Sequence, residues 1–173
     1  MAAHRIAKTD RRIAPGIYRS QQSVTGYPGH IPYGDRAERI VKHALPILKE
    51  MLDLPSNLEV RLASIKGRVR GWWIDGEKLA IVDYMATGRQ VLESLCHELV
   101  HAEQYKQGRL DDVLVDGKWV ALWFGTPVDK AYAERPFEIE AFGRQVELAD
   151  SVIDQLEEKH PGIWELITKV KQN

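Results

Sequence analysis

Residues 87–108 read TGRQVLESLCHELVHAEQYKQG, and this stretch decides how the rest of the chain is understood. Val91, Leu92, Leu95, Leu99 and Ala102 recur on one helical stripe, Thr87 offers an oxygen to cap the first turn, and Gly108 stands where the helix should stop. A core-facing helix is expected over 88–105. Inside it runs His97-Glu98-Leu99-Val100-His101. Helical positions 97 and 101 differ by about 40° in azimuth, so both imidazoles leave one face and can close on a single metal ion. Glu98 lies about 60° from His101, where its carboxylate reaches a coordinated water but is poorly placed as a third ligand. Zinc suits this set: neutral imidazoles bind it, the ion brings a water pKa down towards ~7, and Glu98 can take the proton.

Upstream, Leu58 to Ala63, Val69 to Ile74 and Lys78 to Asp83 read as short strands, the last two joined by Asp75-Gly76 in an expected tight hairpin. Trp72 and Trp73 are neighbours on a strand and so face opposite ways. Before them, Ile40, Val41, Ala44, Leu45, Leu48, Met51 and Leu52 predict a core helix from Asp35 that stops before Pro55, with His43 as a surface or packing residue. Downstream, Val113 to Val115 and Trp119 to Phe124 flank Asp116-Gly117, a second hairpin signal. A loop through Gly125 and Pro127 leads to a helix opened by Pro136 and running to about Lys159; Pro161-Gly162 breaks it before a last short helix from Ile163 to Val170. The fold class expected is α+β, a small antiparallel-rich sheet packed on the helix that carries the two histidines.

Composition narrows the class of protein. A chain of 173 residues with 44% hydrophobic content can bury one core without disulfides. Its 24 basic and 25 acidic side chains nearly cancel, so global charge does not draw it to nucleic acid or an anionic membrane. The single cysteine, Cys96, and a start without an apolar run point to a reducing, cytoplasmic setting, and no stretch approaches the ~20 apolar residues of a membrane span. Residues 1–33 hold Arg5, Lys8, Arg11, Arg12 and Arg19 against Asp10 alone and read as an irregular basic arm, a solvated tail or a docking arm for nucleic acid or an acidic partner. Residues 34–173 form the single folded domain expected.

With its histidines, Glu98 and the preceding hairpin, the region from about 57 to 150 resembles the zincins, metallopeptidases whose motif helix packs beneath a small sheet with an edge strand over the cleft. Gln104 and Gln107 stand where the metzincin branch would have glycine and histidine, which excludes that branch. Similarity to the gluzincin branch implies a glutamate ligand on a later helix, often followed by alanine, and Glu140-Ala141 fits that pattern within Glu138-Ile139-Glu140-Ala141. Two helical positions apart, Glu138 and Glu140 face about 160° away from each other, so only one can ligate; the resemblance favours Glu140. Arg144 stands where larger gluzincins often carry an aspartate, which leaves the support of the histidines open. His160, beside Pro161, is the rival third ligand, and Cys96 reads as a small buried hydrophobe. The resemblance also extends to small proteins encoded by phages and bacteria.

The resulting expectation is a zinc-dependent hydrolase cleaving a peptide or protein substrate, with His97, His101 and Glu140 on Zn2+, Glu98 as general base and Tyr132 or Tyr105 stabilising the oxyanion. An exposed strand before the motif helix could pair with an extended substrate chain. Two alternatives stand beside it: a zinc-stabilised, non-catalytic module binding protein or nucleic acid through the arm or Trp72, Trp73, Trp119 and Trp123, and an SprT-like, DNA-associated peptidase.

Overall fold

A computed structural model describes residues 11–19, 32–65 and 70–168. Its elements follow in the order β1 (Arg11–Ala14), β2 (Ile17–Arg19), α1 (Pro32–Met51), β3 (Glu59–Ala63), β4 (Gly71–Ile74), β5 (Leu79–Asp83), α2 (Gly88–Lys106), β6 (Leu110–Val115), β7 (Lys118–Trp123), β8 (Thr126–Pro127), α3 (Pro136–Lys159) and α4 (Pro161–Thr168). This is a mixed α+β architecture with two small sheets and four helices among the described residues. None of those helices is long and apolar enough to cross a membrane.

The larger sheet has the order β1-β2-β3-β5-β4. Its inner pairs, β2 with β3 and β3 with β5, are parallel, and its outer pairs are antiparallel. It is therefore less antiparallel than the sequence suggests. β5 reads LAIVD, and all five of its residues are buried, the pattern of a strand covered on both faces. Ala80 and Val82 join Val60 and Leu62 of β3 in the main core, while Leu79 and Ile81 point the other way into a small cluster with Ile65.

Against the main-core face lies α2, which also touches α1, α3 and α4. Its buried Val91, Leu92, Leu95, Cys96, Leu99 and Val100 meet Ile40, Val41, Ala44 and Leu48 of α1 and Ala149, Val152 and Leu156 of α3 in one cluster. Thr87 caps α2 in a capping box: its side chain accepts from the Gln90 backbone N–H, and the Gln90 side chain accepts from the Thr87 backbone N–H. Pro136 opens α3 at its first turn, as its locked φ and missing N–H favour.

Three expectations need correction. Residues 11–19 are not irregular: β1 and β2 form a hairpin whose second strand runs parallel to β3, and Ile17 is buried in the main core. The rest of the basic arm, 1–10 and 20–31, lies outside the described residues. The turn at Asp75-Gly76 is not a two-residue hairpin either. A 3-10 turn over Asp75–Glu77 joins β4 to β5, and Lys78 takes the left-handed conformation with φ 50°. Finally, β4 begins at Gly71, after residues 66–69, which also lie outside the described set. The second hairpin is as expected: Asp116 and Gly117, at φ 49° and 75°, make the left-handed pair that matches the twist of β6 and β7.

Candidate metal centre

α2 and α3 pack side by side, and the point where the middle of α2 meets the first turn of α3 carries the site. His97, Glu98 and His101 come from α2 and Glu138 from α3, and all four are buried. His97 Nε2 lies 3.2 Å from Glu138 Oε2, His101 Nε2 lies 3.6 Å from the same oxygen, and the two Nε2 atoms are 3.2 Å apart. A tetrahedral ion with bonds of about 2.0–2.1 Å separates its ligand atoms by about 3.3 Å. These three atoms therefore have the spacing of one face of such a tetrahedron, and all three residues line a cavity.

The outer nitrogens fix the chemistry of the inner ones. His97 Nδ1 meets Gln145 Oε1 at 3.0 Å, and His101 Nδ1 meets Gln104 Oε1 at 2.8 Å. A carbonyl oxygen only accepts, so each Nδ1 is the donor in its pair, which leaves both Nε2 atoms facing Glu138. For Gln104 the amide orientation is set independently, because its Nε2 donates to the Phe137 carbonyl at 3.1 Å. Gln104 is fully buried. Two imidazole Nε2 atoms and a carboxylate converging on one point form a donor set that could hold a cation, and such hydrogen-bonded outer partners orient metal ligands.

The metal-free charges point the same way. Burial works against ionisation of Glu138, but hydrogen bonds with His101 and His97, and one from Tyr132, outweigh it and bring the carboxyl down to about 2. Burial also disfavours charge on His101, yet its hydrogen bond with Glu138 and the nearby Glu98 raise its pKa. Glu98 moves in the opposite sense from Glu138. Removal from water pushes its carboxyl up to about 7, only partly offset by the two histidines. A carboxyl poised near neutrality beside a metal position is suited to exchanging protons.

Glu98 fills the space that a side chain on β4 would need. A Cβ built on Gly71 would stand 2.5 Å from Glu98 Oε1 and 2.9 Å from the Ile81 carbonyl, so only glycine lets this edge strand come so near. Two cavities meet here, both lined by Gly71, His97, Glu98 and Tyr132. One, of about 240 Å³, runs between Trp72 of β4 and the β6–β7 hairpin; the other, of about 350 Å³, runs past Ser94, Phe142 and Gln145.

The residues expected at the site divide clearly. His97, His101 and Glu98 come together, but the carboxylate that joins the two histidines is Glu138 and not Glu140. Glu140 turns away: Arg109 Nη2 donates to it at 3.0 Å and Arg144 Nη1 at 3.1 Å, in a network shared with Glu103. The register of α3 gives the reason. Glu138 begins the inward row Ala141, Gln145, Leu148, Ala149, Val152, whereas Glu140 begins the polar row Arg144, Glu147, Ser151. That periodicity could have identified Glu138. Arg144 likewise serves the ion-pair network, and the ligand support expected of its neighbourhood comes from Gln145 instead.

Tyr132 lies in the turn before α3, its hydroxyl donating to Glu138 and its pKa raised by burial and that bond. Tyr105 lines the smaller cavity, but its hydroxyl is committed to Asp112. His160 caps the far end of α3, about 33 Å along the helix from Glu138, and its ring sits 4.4 Å from that of His43. It takes no part in the cluster. Cys96 is fully buried in the core, where burial raises its thiol pKa. Gln104, Gln145 and Gly71 are the site residues that the motif alone did not reveal. No family model matches this chain, and neither a curated protein nor a solved structure matches it.

Proposed function

We propose that this protein is a zinc-dependent hydrolase that cleaves peptide bonds, with a zincin-like site in which His97, His101 and Glu138 hold the ion. The observation that carries the reading is the triangle of Nε2, Nε2 and Oε2 atoms, 3.2 to 3.6 Å on a side, with the Glu98 carboxyl next to it. When bound, zinc supplies an electrophile for a carbonyl oxygen and makes water a better acid. Glu98 accepts the proton of the attacking water and passes it to the leaving amine, a role suited by its buried carboxyl with a pKa near 7. Tyr132, which lines both cavities, is the side chain placed to donate to an oxyanion once its hydroxyl leaves Glu138.

Three protein ligands with a cleft at the fourth position favour catalysis over a purely structural ion, since structural zinc is commonly closed by four. A peptide substrate is supported by β4, which ends the larger sheet next to Glu98 and can pair with an extended chain. The test is Glu98→Gln, assayed with zinc bound on a library of internally quenched peptides. The variant should retain the metal and lose turnover by about 10³-fold or more. Undiminished turnover in the variant would overturn the mechanism.

A further inference from the structure

The β6–β7 hairpin presents one face to the cleft and carries that face beyond it. Register places Leu110 opposite Trp123, Asp112 opposite Ala121 and Leu114 opposite Trp119, and because side chains alternate along a strand these three rows share a face. The first row is anchored: Leu110 is buried, and the Trp123 ring packs 6.1 Å from Phe137, next to Glu138. The second row, Asp112 with Ala121, lines the cavity beside Glu98. The third row leaves the cavity, and there Leu114 and Trp119 are 60% and 57% exposed. An apolar pair this open on a short hairpin is costly unless something covers it.

We infer that this face is a docking track for the substrate, and that the substrate is an apolar-rich stretch of unfolded polypeptide reaching from the cleft onto Leu114 and Trp119. The inference rests on the hydrolase reading and names its substrate class. Continuity is the first argument: the third row follows the cavity-lining row by two residues, about 7 Å, which is also the spacing of alternate side chains in an extended chain. Charge is the second. Asp111, Asp112 and Asp116 stand on the hairpin against Lys118, a balance that disfavours a phosphate backbone and favours a polypeptide as the partner. Nothing short enough to lie wholly inside the cleft would touch Leu114 or Trp119.

The experiment compares zinc-loaded wild type with Leu114→Ser/Trp119→Ser on two probes, fluorescein-labelled β-casein as a disordered apolar-rich chain and a blocked tripeptide confined to the cleft. The double variant should lose about ten-fold or more in kcat/KM on casein, chiefly through KM, with the tripeptide rate unchanged; Trp119→Leu should restore part of the loss. Equal rates on casein for wild type and double variant would overturn the docking track while leaving the hydrolase intact. Binding without turnover separates the two ideas: labelled casein should bind Glu98→Gln, and bind Glu98→Gln/Leu114→Ser/Trp119→Ser about ten-fold more weakly by fluorescence anisotropy. If that difference is found and no peptide is ever cleaved, the track stands and the hydrolase reading falls. Concentration-dependent dimerisation of wild type, abolished in the double variant, would make the face a self-interface and overturn the proposal, as would displacement of casein by a labelled oligonucleotide.

Discussion

Gly71 and Glu98 stand so close that a single methyl group on the glycine would overlap the carboxylate, at 2.5 Å from Oε1. The edge strand thus holds the Glu98 side chain in place from one side while α2 supplies it from the other. Gly71→Ala should displace the carboxylate and strain β4 against the Ile81 carbonyl, costing about 1–3 kcal/mol of stability. Zinc content should be unchanged and peptide turnover reduced at least ten-fold. Full activity in a folded Gly71→Ala protein would show that Glu98 does not need this position.

Gln145 holds the outer nitrogen of His97 from α3. Gln145→Ala should leave the fold intact, since the residue is only half-buried, but weaken metal binding by about 10–100-fold. Competition against a chromogenic chelator measures this directly. Gln104→Ala should weaken binding as well and also destabilise the protein, because the Phe137 carbonyl loses its buried donor.

The metal-free protein should show opposite pH signatures for the two acids. Glu98 is raised from 4.5 to about 7, so its contribution to stability is fully present below pH 4.5 and is lost as pH rises through 7. In urea titrations without metal, wild type should therefore lose about 3 kcal/mol relative to Glu98→Gln across that window. Glu138 is lowered to about 2, so its contribution is present above pH 4.5 and is lost as pH falls towards 2. Glu138→Gln should flatten the acid limb and also lower the His101 pKa, since it removes the hydrogen bond that raises it.

Cys96 lies in the α2 core with its thiol pKa raised by burial, so it should be inert. Iodoacetamide at pH 8 should leave the folded protein unmodified and label one thiol per chain once denaturant is added. Rapid labelling under native conditions would mean that α2 opens far more readily than its packing implies.

The parts of this fold that sequence made legible are those governed by local rules. α2 could be read from its cap, its apolar stripe and the i, i+4 histidines, and α3 from Pro136 and the break at Pro161-Gly162. β1 and β2 could not be, because strands of four and three residues carry too little periodicity, and their partner β3 lies some forty residues away. The choice of Glu138 over Glu140 was written in the apolar row of α3, but similarity to the Glu-Ala pattern outweighed it. The ion pairs that occupy Glu140 join α2, the turn before β6, and α3, and long-range pairing of that kind has no local signature.

The proposed metal site takes its carboxylate from Glu138, and not from its neighbour two residues on, together with His97 and His101. Elemental analysis of wild type, Glu138→Ala and Glu140→Ala, purified side by side and supplied with zinc, tests it most directly. Wild type and Glu140→Ala should each hold one zinc per chain, and Glu138→Ala should lose the metal. Zinc retained in Glu138→Ala but lost in Glu140→Ala, or no zinc bound to wild type, would contradict this assignment.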